Sequence, residues 1–403
     1  MSRVPRLLVI GAGPVGVVAA LAAAQAGFDV QVVEADATIA TNPRAATTHP
    51  STLEMINRVG LLDRFVAEGL VAREFQFWDR ETRKRIATFD HQILRNDTPF
   101  PFVVQTEQHK LVRMALDALE RLGASVRFNT KVVACTQGSD SVSVQVESET
   151  GVETLSADWL IAADGGRSTI RKQIGVEFEG FTWPERFLVL TVLDDIQALM
   201  GCCFRNYLAG TDEWANLFKV SGDDGLGRWR AVFPTRPDET DEEALSDDSA
   251  SKRLNGIHPL ERPYQLVHRN LYRVHQRVAA TFRVGRVLLA GDAAHVNNPI
   301  GGLGLNFGIH DAIDAVDSLS LVALEGRGDG ALDAYALRRR TLNLKFVQEQ
   351  TVANKKRLEE KDPTTRQSNL DNLSAMSLDP ERARAFLLRS SLIQSVREAA
   401  AVA

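Results

Sequence analysis

Three stretches of this chain carry residues whose type and spacing could do chemistry. The first is Gly11-Ala12-Gly13-Pro14-Val15-Gly16, with Glu34 about twenty residues further on. Gly11 permits a tight turn, Gly13 lets the backbone approach a pyrophosphate, and Gly16 allows a helix to pack close. The N-H groups at that helix's start attract phosphate, and Glu34 is placed to accept hydrogen bonds from ribose hydroxyls. The plainer account is a glycine-rich turn before a buried helix, but strand, helix and acid together point to a dinucleotide. The second stretch, DWLIAADGGRSTIR, ends an apolar strand in Asp164-Gly165. The third, GRVLLAGDAAHVNNPIGGLGLNFGIHDA, ends another in Gly291-Asp292 and runs through the glycines of 301–304 into a helix. Either alone could be an Asp capping the next helix. Their joint occurrence, in this order, is harder to attribute to turns.

The elements that must hold these residues are written in the pattern around them. An apolar run at 7–10, an Ala-rich helix at 15–26 stopped by Gly27 and a β-branched run at 30–33 make a βαβ unit. Helical spacing recurs over 107–122 before Gly123, and 124–163 alternates as short strands. A second β-rich block over 187–233 (FLVLTVL, ANLFKVS, RWRAVF) suits an antiparallel sheet with one covered face. The acidic segment 235–253 reads as an exposed loop or frayed helix, and Arg338, Arg339 and Arg340 as the solvated face of a helix. From about 306 to the end the chain is largely helical. Leu337, Thr341, Leu344 and Val347 form its apolar stripe, which packs either on the core or on a second subunit as a homodimer face.

Composition narrows the function classes. The 403 residues are 44% apolar and 25% charged, with 47 basic against 52 acidic residues and a net charge of -5. That balance argues against a nucleic-acid partner, and no apolar run of about 18 residues exists to span a membrane. Cys135, Cys202 and Cys203 have no disulfide or metal-like spacing, so no metal is expected and a reducing cytoplasm is the simplest compartment. The N-terminal MSRVPRLLVIGAGPVG also has the outline of a secretion signal, but the same residues fit the nucleotide-binding turn better.

Together with Arg44 in NPRAATTHP and Gln105 in VVQTEQHKL, these motifs resemble those of the FAD-dependent aromatic hydroxylases of the para-hydroxybenzoate hydroxylase type, the class A flavoprotein monooxygenases. The likeness covers nearly the whole chain. It implies an α/β fold: a Rossmann-like FAD-binding domain (1–73, 98–178 and 270–345), an inserted antiparallel β-sheet substrate domain (74–97 and 179–269) and a helical C-terminal segment (346–403). It implies that FAD is held by Gly11, Gly13, Pro14, Val15, Gly16, Glu34, Ala35, Arg44, Gln105, Asp164, Gly165 and Asp292. Pro299, Gly301, Gly302, Gly304, Leu305 and Asn306 would then lie against the isoalloxazine ring. A helix starting near Leu305 would aim its N-H groups where negative charge collects on reduction.

The resemblance further implies that NADH or NADPH reduces FAD without a Rossmann domain of its own. The reduced flavin adds O2 as a C4a-hydroperoxide, and a small aromatic or heteroaromatic, phenol-like ring is hydroxylated. ADATIATNP, after Glu34, lacks a basic cluster for a 2'-phosphate, which favours NADH. The rivals are an oxidase or reductase on the same fold and a flavin-binding interaction protein without turnover. His49 and Tyr207 are the candidate catalytic residues, with His268 and Tyr264 as other groups near the pocket. His295 reads as structural and Arg205 as a surface arginine on a strand edge.

Overall fold

In the computed structural model, which describes residues 3–44 and 46–402, the N-terminal apolar run is the strand Arg6–Ile10. Its lack of alternation reflects burial on both faces, as parallel sheets require. It pairs in parallel with Asp29–Val33 on one side and Trp159–Ala162 on the other. Val287–Leu289 and Ser125–Arg127 extend the parallel row in the two directions, and Arg283–Val284 closes one edge as a hairpin. Gly11, Asp164 and Gly291 thus follow the carboxyl ends of three adjacent parallel strands. That edge is where an open α/β sheet binds ligands. Helices Pro14–Ala26 and Leu303–Ala323 pack against each other over this edge, the first stopped by Gly27 at φ 103°.

The second sheet has eight strands, in the order His295–Val296, Leu266–Ala279, Phe178–Val192, Arg228–Pro234, Ala215–Val220, Arg205–Ala209, Glu74–Asp79, Lys84–Asp90. It is not wholly antiparallel. Arg205–Ala209 runs parallel to Glu74–Asp79, because the hairpin 74–90 arrives from an earlier part of the chain. Period-two alternation gives the sheet two apolar faces. Trp78, Leu188, Trp229 and Phe233 lie under the helix Asp247–Ile257, and Phe75, Phe77, Phe187 and Tyr207 face the C-terminal helices. The expected division at 269/270 falls inside Leu266–Ala279, which pairs with Phe178–Val192 over most of its length and fuses the two regions.

Other expectations are corrected by packing. Of the two readings of 235–253, loop or frayed helix, the helical one holds, and the helices are capped rather than frayed: Thr240 caps Asp241–Leu245 in a reciprocal capping box, and Ser246 caps Asp247–Ile257. Its acidic residues crowd the first turns, where the helix dipole favours them, and Arg253 is buried between Glu213 and Glu239. The 338–340 arginines are not a solvated face. Arg338 pairs with Asp314, Arg339 is buried on Asp311 and Arg340 reaches Glu179. Of the expected apolar stripe only Val347 packs on the core; Leu337 and Leu344 are 55% and 38% exposed. Helix Gly330–Asn343 instead buries Leu332, Tyr335, Arg339 and Leu342, a phase fixed by Tyr335 Oη donating to Leu289 O and Arg339 to Asp311. No helix among the described residues is long and apolar enough to cross a membrane.

Candidate active site

The glycine turn shows which of its glycines the protein itself requires. Gly11 sits at φ 103°, and a Cβ there would lie 2.4 Å from Ala163 O. A Cβ on Gly16 would lie 1.9 Å from Gly11 O. Gly13 differs: its φ of -67° and ψ of 173° suit any residue, and a Cβ there meets nothing within 4 Å. At the start of helix Pro14–Ala26, Gly13 therefore borders a space that a side chain would fill. Glu34, after Asp29–Val33, accepts from Ala12 N at 2.6 Å and from Asp36 N at 2.9 Å. A carboxylate offers about four acceptor positions, so it clamps the turn and retains capacity for hydroxyl donors. Pro14 and Val15 open the helix half-buried, and Ala35 is exposed beside Glu34.

The other two motifs are joined by buried charge. Asp164 accepts from Ser168 Oγ and Ile170 N, capping the short helix that follows; burial raises its carboxyl against those bonds. Gly165 takes φ 78° in that turn. Arg171 Nη1 donates to Ala293 O at 2.8 Å and Nη2 to Gly166 O, tying the second motif to the third. Asp311 accepts from Gly291 N, contacts His295 Nε2 at 2.7 Å and pairs with Arg339 Nε at 2.7 Å. Burial alone would raise the Asp311 carboxyl; Arg339 and His295 outweigh it and hold it below the usual range. His295 is fully buried in this network. Asp292 is exposed just after the strand Val287–Leu289. The protein packed around it raises its carboxyl, and His295 and Arg44 pull the other way.

Arg44 is exposed, its carbonyl accepts from Arg230 Nη1, and its charge reaches Asp292 and Tyr272. Gln105 is fully buried; its Oε1 accepts from Thr47 Oγ1, while Nε2 has no partner among the described residues. Gly301 and Gly302 adopt φ of 109° and 67°, and a Cβ on Gly304 would lie 2.9 Å from Asn297 Oδ1. The helix begins at Leu303, a little before the expected Leu305, with Pro299 and Leu305 half-buried around its start. The Asn306 side chain stitches this start to the strand below: Oδ1 accepts from His49 N at 2.7 Å and Nδ2 donates to Thr47 O at 2.8 Å.

Next to Gly301 lies a small, half-open pocket lined by Phe75, Phe77, Tyr207 and Phe386 and by Arg205 and Arg357. Arg205 is 6% exposed on an inner strand, so the surface reading is wrong. Its Nε and Nη2 donate to Tyr207 Oη at 3.1 and 2.6 Å, and Nη2 also reaches Gly301 O at 3.1 Å. Tyr207 stacks on Phe77 with centroids 5.2 Å apart. His49 Nε2 donates to Gly301 O at 2.8 Å, and its Nδ1 has no partner. Burial, followed by the charge of Arg205, drives the His49 pKa well below the ordinary value. Tyr264 does not flank the cavity; its hydroxyl donates to His258 O and its ring belongs to the opposite face of the sheet. His268, half-buried on Leu266–Ala279, does not line it either. Phe75, Phe77, Phe386 and Arg357 escaped the sequence reading. The alternation of EFQFWD signalled a one-faced strand, and nothing marked out the arginine inside the charged run NKKRLEE.

Comparison with known proteins bears on this geometry. Residues 5–350 match the family model described as FAD binding domain. The chain belongs to that family. It is 34% identical to para-nitrophenol 4-monooxygenase of Pseudomonas sp. (strain WBC-3) over 390 residues, 96% of each chain. It is 33% identical to 6-hydroxy-3-succinoylpyridine 3-monooxygenase HspB of Pseudomonas putida (strain DSM 28022 / S16) over 392 residues, 95% of this chain and 97% of that one. The crystal structure of p-nitrophenol 4-monooxygenase PnpA from Pseudomonas putida DLL-E4 superposes with a TM-score of 0.91 at 32% identity, covering 98% of this chain and 99% of that one. This family member is an FAD-dependent aromatic monooxygenase, a class that draws reducing equivalents from NADH or NADPH. Its own residues fit the cofactor: a cradle at Gly13 that a Cβ would fill, the buried unpartnered Nε2 of Gln105, and the exposed carboxylate of Asp292.

Proposed function

We propose that this monooxygenase hydroxylates a single aromatic or heteroaromatic ring bearing a hydroxyl group, and that Tyr207 and Arg205 receive that oxygen. The observation that carries this is the Arg205–Tyr207 pair inside an aromatic box beside Gly301. Two guanidinium N-H groups occupy the acceptor side of Tyr207 Oη, and its own proton has no acceptor among the described residues. That proton donates to the ring oxygen, and the Arg205 charge favours the anionic, electron-rich form of the ring. Phe75, Phe77 and Phe386 fix the ring plane and exclude water. Bound FAD, reduced by NADH or NADPH, supplies the activation and transfer of oxygen.

On the cofactor side, the glycine turn and helix start hold the pyrophosphate, Glu34 the ribose, and Arg44, Gln105 and Asp292 the remainder of FAD. Gly301 and Gly302, at the start of Leu303–Ala323, form the wall between flavin ring and substrate. His49 is a positioning residue: kept neutral, it holds Gly301 O together with Arg205. O2 is the oxidant and the cytoplasm the compartment, a reading supported by three buried, unbridged thiols. A second copy would pack on the exposed Leu337 and Leu344.

The test is rapid mixing of the flavin-loaded protein with NADH and NADPH, with and without phenols and hydroxypyridines, followed by mass analysis under labelled O2. A ring that speeds flavin reduction and gains one labelled oxygen supports the reading. Release of hydrogen peroxide with every ring tested would instead favour an oxidase.

A further inference from the structure

The pocket beside Gly301 has a closed end and an open one. Phe75, Phe77, Arg205 and Tyr207, from the sheet, are buried, as are Ile300 and Gly301. Exposure within the lining is confined to four half-buried residues: Asn354 and Arg357 on the helix Glu349–Leu358, and Phe386 and Ser390 on the helix Pro380–Ser390. Spaced by three and by four residues, each pair shares one helix face, so two helix stripes frame the mouth. None of Gly11, Asp164 and Gly291, which mark the cofactor edge, lines the pocket.

The frame of the mouth is fixed. Asn354 Nδ2 donates to Ile300 O at 3.3 Å, which ties the first helix to the glycine turn. The second is held at both ends: Asp379 caps its start, Arg384 Nε donates to Asp97 at 2.8 Å, and Ser51 Oγ donates to Ser391 O at 2.7 Å just past its end. Leu392, next in the chain, is buried with φ 61°, a left-handed conformation that a leucine keeps only where its surroundings dictate it. One aromatic wall is still able to give way. Phe75, Phe77 and Tyr207 are buried on strands, whereas Phe386 is half-buried and meets Phe89 and Phe75 at centroid distances of 4.7 and 6.2 Å. Side chains with solvent on one side change rotamer far faster than a packed helix moves.

From this we infer that the ring enters and leaves the pocket between these two helices, with the Phe386 side chain as the gate and Asn354, Arg357 and Ser390 as its polar rim. The inference rests on the reading that this pocket receives the ring. It makes Phe386 a specificity residue, because the opening left by its rotation sets the width of ring that is admitted. A ring using this route does not pass the flavin, so it reaches Tyr207 and leaves as product with FAD in place.

The experiment places a removable block at the rim. Ser390→Cys supplies one accessible thiol in the flavin-loaded protein. The natural thiols do not compete, since burial pushes Cys135 up to about 11 and Cys202 and Cys203 to about 12, which keeps them protonated. Dithiobis(nitrobenzoate) couples a nitrobenzoate to the new thiol through a disulfide, and dithiothreitol removes it. Rapid mixing with phenol, 4-methylphenol and 3-hydroxypyridine follows the absorbance of the bound flavin. With the block in place association should slow about tenfold or more, and a ring bound before blocking should leave more slowly by the same factor. Dithiothreitol should restore both rates, which separates blocking from misfolding. Phe386→Ala, with the gate removed, should speed the release of the small rings and raise the association rate of 2-naphthol relative to phenol, each about tenfold or more. Either variant suffices if the other does not fold. Association or release unchanged by the block, or Phe386→Ala rates that match wild type, overturn the inference and leave the hydroxylase reading standing, since the ring then enters elsewhere. If no ring perturbs the flavin of the wild-type protein, the pocket reading and the inference fall together.

Discussion

Gly13 and Gly16 stand three residues apart in the same turn, and their substitution should fail in opposite ways. A methyl group on Gly16 would lie 1.9 Å from Gly11 O, a backbone atom that cannot move without opening the turn. Overpacking of that kind costs about 1–3 kcal/mol or more. A methyl on Gly13 meets no protein atom within 4 Å, and the backbone there is already in a region open to alanine. Loss of a good cap residue and gain from a stiffer unfolded chain are each about 0.5–1 kcal/mol and oppose one another. Gly13→Ala should therefore leave the flavin-free protein within about 1 kcal/mol of wild type and still weaken FAD by about tenfold or more, because the methyl occupies the pyrophosphate position. Gly16→Ala should lower the stability of the flavin-free protein itself. Urea melts of the flavin-free proteins, with FAD binding followed by quenching of flavin fluorescence, separate the two. If Gly13→Ala binds FAD as wild type does, or melts as early as Gly16→Ala, the cradle is not where the pyrophosphate lies.

Other outcomes follow from the same contacts. Arg339→Met strands the fully buried Asp311 carboxylate and should cost about 3–5 kcal/mol of stability, read by denaturant melts; a loss under about 1 kcal/mol would show that the pair is dispensable. Tyr207→Phe should retain FAD and its reduction without substrate, but weaken phenol binding by about tenfold, measured by titration. Burial depresses His91 and His310 to about 3 from an ordinary 6.5. Their neutral forms thus favour the fold above the ordinary value, and that stability drains away as pH falls towards 3. The slope is up to about 1.4 kcal/mol per pH unit for each histidine. His49 acts in the same sense, while the raised carboxyls of Asp164 and Asp292 offset part of the loss. Melting at pH 7 and pH 5 checks the sum, and equal stability at both would contradict it.

Much of the cofactor side could be read directly, because the turn, the parallel strands and their closing Asp-Gly and Gly-Asp pairs are local features. Each is a short run whose backbone needs are stated by neighbouring residues: glycine where φ is positive or a carbonyl is close, β-branched residues where a strand is buried on both faces. The roles inside those motifs were less legible. Asp164 caps the turn that follows it through Ser168, a local contact, whereas Asn306 stitches the strand at Thr47 to the helix start, a contact between segments far apart in sequence.

The substrate side depended on the tertiary structure. Arg205 looked like a surface arginine because its strand alternates; burial came only when Glu74–Asp79, from more than a hundred residues earlier, paired beside it and the C-terminal helices closed over that face. Arg339 sits in a charged run that reads as solvated, and only the neighbours brought by folding decide that it meets Asp311. The sequence by itself determined a dinucleotide-binding edge, since that chemistry lies in the backbone of one continuous turn. The ring pocket was decided by packing, since its walls come from segments around residues 75, 205, 300, 357 and 386, whose side chains acquire a common environment only in the folded chain.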